Sequence, residues 1–140
     1  MADAGPVPYE EGYFTIPATA GIAPRLIGSR CRACGEHFFP QRLTCAKCLS
    51  EDTEQVQLGP RGRLYTHTFL YAPGFGEQAS ATPGYAVGQI DLREGPRVQS
   101  LLIGERGAFR IGMEMELALE SVGEDKQGRK ILMYRFRPVG

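Results

Sequence analysis

The sequence predicts a mainly β protein with a four-cysteine metal ribbon over 29–57 and a five-stranded closed barrel over 58–140. An extended arm, 1–28, precedes them. Three observations carry this prediction. All four cysteines of the chain fall into two CxxC pairs, Cys31/Cys34 and Cys45/Cys48, separated by ten residues. From Gly59 onward, short runs alternate apolar and polar residues between glycine- and proline-containing turns, the period of half-buried strands. No segment carries a convincing amphipathic helical pattern.

The elements follow in order. In the arm, Pro6, Pro8, Pro17 and Pro24 block any long helix, while Tyr9, Tyr13, Phe14 and Ile16 are too apolar for a free tail. The arm is therefore expected to pack on its own domain or on a partner. In the ribbon, Gly35 follows Cys34 where a knuckle demands positive φ, and 37–42 reads as a short strand and return. Such a module is too small for its own core, so metal binding must supply much of its folding free energy. Barrel strands are expected at 63–71, 85–92, 97–103, 113–120 and 130–136. The loop 72–84, the hairpin turn at Glu94-Gly95-Pro96 and the polar turn 123–128 separate them. The five-strand count favours an OB-type barrel; a single sandwich is the competing architecture.

Bulk composition narrows the function classes. The 140 residues hold 42% hydrophobic and 23% charged residues with a formal net charge of zero, enough for one ordinary domain with a small appendage. Zero net charge argues against a nucleic-acid binder, whose affinity comes from neutralising phosphates. No apolar run is long enough to span a membrane. The acidic, proline-bearing N-terminus does not read as a secretory signal. Together with cysteines in metal-ligand spacing, this predicts a reducing, cytoplasmic setting.

Cys31, Cys34, Cys45 and Cys48 form a closed tetrahedral S4 set, the geometry zinc prefers, with no open position for a substrate. A rubredoxin-type iron centre uses the same ligands, but nothing else in the chain suggests electron transfer. His37, three residues after Cys34, faces a site that is already full. His67 reads as a barrel histidine rather than a general base. With every thiol spent on metal, no Cys/His nucleophilic pair can be assembled within this chain. Glu114, Glu116 and Glu120 lie on one strand and read as a solvated face.

A CxxC-x10-CxxC ribbon running directly into a five-strand barrel resembles the DUF35 family, OB-fold proteins with a rubredoxin-like zinc ribbon. The matching residues are 30–35, Phe39-Pro40-Gln41-Arg42, 45–48, 62–68 at the first barrel strand, 83–87 at the second, 91–97, 111–113 and the closing Phe136-Arg137-Pro138. They span about 26–140. The chain departs from the family where a leading helix is replaced by the proline-rich arm. The resemblance implies a non-catalytic accessory subunit paired with a thiolase-like or hydratase-like enzyme that holds the catalytic cysteine and histidine. It also implies help in binding an acyl-CoA. Within the family the chain looks most like subunits of degradative thiolases that cleave bulky, aromatic β-oxoacyl-CoA thioesters.

Under that resemblance, candidate contacts to CoA or partner are Phe38, Phe39 and Arg42 on the ribbon, and Arg61, Arg63, Tyr71, Phe75 and Tyr85 around the first barrel strands. The aromatics suit adenine or an aromatic acyl group, and the arginines suit phosphates. Each has a plainer role: Phe38 and Phe39 covering the knuckles, Tyr71 and Tyr85 in the barrel core, the arginines on a solvated face. The expected assembly is a hetero-oligomer with a thiolase-family subunit. The competing readings are a single-stranded nucleic-acid binding module and an accessory subunit of an acyl-CoA hydratase.

Overall fold

The computed structural model describes residues 5–19, 21–71 and 84–139. The described residues form nine strands: β1 (Val7–Pro8), β2 (Leu26–Cys31), β3 (His37–Phe38), β4 (Thr53–Leu58), β5 (Arg61–Leu70), β6 (Tyr85–Leu92), β7 (Arg97–Leu102), β8 (Glu114–Glu124) and β9 (Lys130–Pro138). A 3-10 turn, Arg106–Ala108, interrupts the path from β7 to β8. Among the described residues no helix is long and apolar enough to cross a membrane.

The last five strands close a barrel in the order β5-β6-β7-β9-β8, and β8 returns to β5 through Arg61↔Glu116, Gly62↔Met115 and Arg63↔Glu114. Every neighbouring pair is antiparallel except β7 and β9, which run parallel and pair at Leu102↔Phe136. The period-2 pattern does the sorting. In β6, Ala86, Gly88, Ile90 and Leu92 turn inward and Tyr85, Val87, Gln89 and Asp91 outward. Leu64, Ile90, Val98, Met115 and Phe136 fill the interior. Gly88 gives way to them: a Cβ there would lie 2.8 Å from Leu102 Cδ1 and 3.0 Å from Leu64 Cδ1. Tyr65 is the extra residue of a bulge in β5, where the pairing shifts between Leu64 and Thr66. It is thereby turned outward under the guanidinium of Arg97, 3.4 Å from the ring centre.

The ribbon is a three-stranded sheet, β3-β2-β4. The short strand expected within 37–42 is β3, but the central strand β2 and the outer strand β4 were not legible in the sequence: β2 is of mixed polarity (LIGSRC) and β4 reads TEQVQL, with a single large apolar residue before Leu58. Leu26 and Leu58, paired at the base of this sheet, are fully buried in the same hydrophobic cluster as the barrel residues. Ribbon and barrel thus share one core.

The arm packs on its own chain. Val7 and Pro8 add a parallel strand to β9, and the Tyr9 N–H donates to the Leu132 carbonyl at 2.7 Å. Pro8 tolerates this edge position because it has no N–H to leave unpaired. The arm then doubles back along β2, with Ile27 N–H on the Tyr13 carbonyl and Thr15 N–H on the Arg25 carbonyl, both 2.8 Å. Phe14 enters the core.

The β8 glutamates Glu114, Glu116 and Glu120 are each paired with an arginine. Glu114 meets Arg93 at 2.6 Å, Glu116 meets Arg137 at 3.0 Å, and Glu120 meets Arg135 at 3.0 Å. Only the last pair involves a buried arginine: the Arg135 side chain is 5% exposed.

Candidate functional site

The two knuckles are built alike. In the first, Gly35 N–H donates to the Cys31 carbonyl (2.8 Å) and Cys31 N–H to the Glu36 carbonyl (2.9 Å). In the second, Leu49 N–H donates to the Cys45 carbonyl (2.9 Å) and Cys45 N–H to the Ser50 carbonyl (2.8 Å). Each turn needs a left-handed residue just after its second cysteine: Gly35 has φ +83° and Leu49 φ +68°. These turns aim all four sulfurs at one point.

The four Sγ atoms lie within 4.8 Å of one another, and Cys31–Cys48 and Cys34–Cys45 are each 3.6 Å apart. Four ligands at about 2.3 Å in a tetrahedron stand about 3.8 Å apart, so the spacing suits zinc. Cys31 and Cys45 are buried, and Cys34 and Cys48 form the exposed edge. Backbone N–H groups point at the sulfurs: Cys34 at Cys31 Sγ (3.4 Å), and Lys47 and Cys48 at Cys45 Sγ (both 3.3 Å). Burial pushes the Cys45 thiol up, but the N–H groups of Cys48 and Lys47 outweigh it and hold it down at about 6. At Cys48 the Ser50 N–H pulls downward, yet the crowding thiols of Cys31, Cys45 and Cys34, with burial, push it up to about 12. Four sulfurs this close do not all ionise by themselves; a dication makes thiolates of all four. Ion pairs brace the knuckles: Arg32 to Asp52 (2.9 Å), Arg30 to Glu54 (3.0 Å) and Lys47 to Glu36 (3.6 Å). The set leaves no coordination position for a substrate, so a metal held here is structural.

The other sequence-predicted residues disperse. Phe38 on β3 sits 5.6 Å beneath the Arg42 guanidinium, and the Arg42 N–H donates to the buried Ser29 hydroxyl at 3.0 Å. Phe39 turns the other way and wedges edge-on between Tyr13 (5.9 Å) and Tyr134 (5.8 Å), where arm, ribbon and barrel meet. Arg61 faces Glu116 at 3.8 Å, and Arg63 donates to the Gly112 carbonyl at 2.9 Å. Exposed Tyr71 packs on Phe69 at 5.1 Å, with the Arg106 guanidinium 4.8 Å from its ring. Phe75 and most of the loop around it, 72–83, lie outside the described residues. His37 is not among the clustered ligands. His67 stands 5.9 Å from the Phe109 ring.

Tyr85 lines a groove of about 700 Å³ on the barrel, within the size range of ligand sites. Its other walls include Tyr9, Leu101, Met133, Tyr134 and Arg135. It lies beside the place where β7 and β9 part, and the Tyr134 hydroxyl bridges that parting to the Gln99 carbonyl at 3.4 Å. Burial pushes the Tyr134 phenol up, which keeps it a donor. Sequence reading missed Tyr9, Tyr134 and Arg135, because strands distant in the chain assemble the groove and no local motif marks it.

Comparison with known proteins agrees with this architecture. Two family models match consecutive parts of the chain: the ChsH2 rubredoxin-like zinc ribbon domain over 20–54, and the ChsH2 C-terminal OB-fold domain over 55–120. The benzoylsuccinyl-CoA thiolase subunit BbsA of Thauera aromatica is 37% identical over 119 residues, covering 85% of this chain and 80% of that protein. A DUF35 domain-containing scaffold protein of Methanocaldococcus jannaschii is 33% identical over 81% of this chain and 82% of its own length. Among solved structures, the Ltp2-ChsH2(DUF35) aldolase superposes with a TM-score of 0.65 at 27% identity, covering 81% of this chain and 84% of that one. A DUF35 protein of unknown function from Sulfolobus solfataricus shares the fold at 18% identity, with a TM-score of 0.53 over 82% of this chain and 76% of that one. With its four-sulfur ribbon, its five-strand barrel and these relatives, the chain belongs to the DUF35 family of zinc-ribbon OB-fold proteins.

Proposed function

We propose that this protein is the non-catalytic accessory subunit of a thiolase-type enzyme that cleaves a bulky, aromatic β-oxoacyl-CoA. The observation that carries this reading is the 37% identity to a benzoylsuccinyl-CoA thiolase subunit across 80% of that subunit's length. The chemistry supports it. Thiolytic cleavage needs a nucleophilic thiolate and a base. All four cysteines here converge on one metal site, so the nucleophile belongs to a partner. Zinc, bound by Cys31, Cys34, Cys45 and Cys48, closes the ribbon and takes no part in the reaction. The groove face carrying Tyr85 is the surface we assign to the CoA thioester; Tyr71, Phe69 and Arg106 form a separate aromatic–arginine stack. We infer a cytoplasmic setting from cysteines in metal-ligand spacing, which a reducing compartment keeps as thiols.

A second reading has its own support: the superposition on an Ltp2-ChsH2 aldolase points to an aldolase partner. The two differ in a co-reactant, because thiolysis consumes free CoA and aldol cleavage does not. The test is a tagged pull-down from the native host, followed by mass spectrometry, metal analysis and assay of the purified complex. The expected result is a near-stoichiometric thiolase-family chain and about one zinc per copy of this protein. The complex should cleave an aromatic β-oxoacyl-CoA only with CoA present, and neither chain should do so alone. Cleavage of the corresponding β-hydroxyacyl-CoA without added CoA, to a shorter acyl-CoA and a carbonyl compound, establishes the aldolase reading instead. Turnover by the isolated protein, or recovery with nucleic acid alone, overturns both.

A further inference from the structure

The two knuckles have the same hydrogen-bond plan but different residues at the left-handed position. Gly35 serves the first at φ +83°, as expected where a Cβ is costly. Leu49 serves the second at φ +68°. Its side chain is not repaid by burial, since Leu49 is 76% exposed. Leu43, on the other flank of the same knuckle, is 85% exposed. Folding of this chain explains neither leucine. Beside them, Arg42 stacks on Phe38 and has no carboxylate partner among the described residues. Its charge remains available to an acidic group on another molecule.

We propose that the tip of the second knuckle is a docking surface for the catalytic subunit. Leu43 and Leu49 enter an apolar pocket of that subunit, and Arg42 faces a carboxylate at its rim. This rests on the accessory-subunit reading above, which supplies the partner. Exposed leucines beside an aromatic-stacked arginine match the chemistry of an interface centre, where a few anchors carry most of the affinity. The metal makes the tip rigid, so little ordering entropy is lost on docking. A residue held at a costly φ with an exposed apolar side chain fits selection for contact over stability.

The test separates docking from folding by using Leu49→Gly, which relieves the left-handed strain. The probe is the thiolase-family chain identified in complex with the wild-type protein, titrated as a purified subunit. Leu49→Gly is expected to keep the wild-type zinc content and a thermal midpoint no lower than wild type, yet bind about 10-fold more weakly. Leu43→Asp should bind at least as weakly, with zinc retained. Wild-type affinity in both variants overturns the proposal while leaving the accessory-subunit reading intact. Failure of the wild-type protein to recover any thiolase-family chain removes that reading and this proposal with it. If the leucine variants instead abolish self-association of this chain, the surface is a homodimer contact and the proposal is wrong.

Discussion

The Phe39 ring meets the Tyr134 ring edge-on, their centres 5.8 Å apart and their planes at 88°. Phe39 belongs to the return between the knuckles, and Tyr134 to the last barrel strand. Tyr134 also contacts Phe14 of the arm at 6.1 Å and reaches across the β7–β9 parting to Gln99. One tyrosine therefore holds together ribbon, arm, barrel and groove wall. Phe39→Ala should lower stability by about 2–3 kcal/mol, toward the low end for truncating a large aromatic because the ring is only half-buried. Denaturant melts of the zinc-loaded protein will read this, and zinc content should be unchanged.

Removing a metal ligand should have a different signature. Cys45→Ser takes away one of the two buried sulfurs, the one that accepts the Lys47 and Cys48 N–H bonds, and should reduce bound zinc well below one per chain. Since zinc binding in such modules is folding free energy, amide exchange should rise across 26–58. The shared burial of Leu26 and Leu58 should carry part of the loss into the barrel melt. Acid should release zinc from the wild-type protein as protons compete for the thiolates. Metal analysis after dialysis across a pH series checks both statements.

The charged rows on β8 and β9 are not equivalent. Glu120 pairs with Arg135, whose side chain is 5% exposed, whereas the Glu116 partners Arg137 and Arg61 are 52% and 44% exposed. Stranding a buried guanidinium is costly, while exposed pairs contribute little. Glu120→Ala should therefore cost about 2–3 kcal/mol and Glu116→Ala about 0–1 kcal/mol. Chemical denaturation of the two variants side by side decides it.

The pairing of β5 with β6 depends on a close backbone approach at Gly62, opposite Leu92. A Cβ there would lie 2.6 Å from the Asp91 carbonyl oxygen and 2.6 Å from the Ile90 side chain. The backbone oxygen cannot swing aside. Gly62→Ala should destabilise by about 1–3 kcal/mol, the usual cost of overpacking, measured by thermal melting with far-UV circular dichroism to confirm the fold.

The β8–β9 turn carries a pH signature. Asp125 accepts backbone N–H bonds from Arg129 and Gln127, both at 2.9 Å, and pairs with the Arg129 guanidinium at 2.7 Å. The Arg129 N–H first, then the Arg129 side chain and the Gln127 N–H, hold its carboxyl below the usual carboxylate range. A lowered carboxyl pKa adds stability above the unfolded value and loses it as pH falls through the folded one. Asp125→Asn should thus be less stable than wild type at neutral pH, and the gap should close below the ordinary aspartate value of about 3.9. Melts of both proteins from neutral to acid pH test this.

The sequence by itself determined the metal centre and the barrel. Both are written in short-range patterns: CxxC spacing with a turn residue after it, and period-2 alternation that assigns Ala86, Ile90, Val98 and Met115 to one side of a sheet. It also showed that no spare thiol exists for catalysis. Strand β4 escaped because its polar face leaves too few apolar positions to show a period. Only the tertiary structure decided that the arm folds back on its own chain and that ribbon and barrel share a core. The same holds for the split fates of neighbouring Phe38 and Phe39, one under Arg42 and the other in the seam. The groove walled by Tyr9, Tyr85 and Tyr134 and the ion pairing of Glu120 with buried Arg135 were likewise tertiary outcomes. Each depends on strands far apart in the chain meeting at a particular register, and no local window of residues records that meeting.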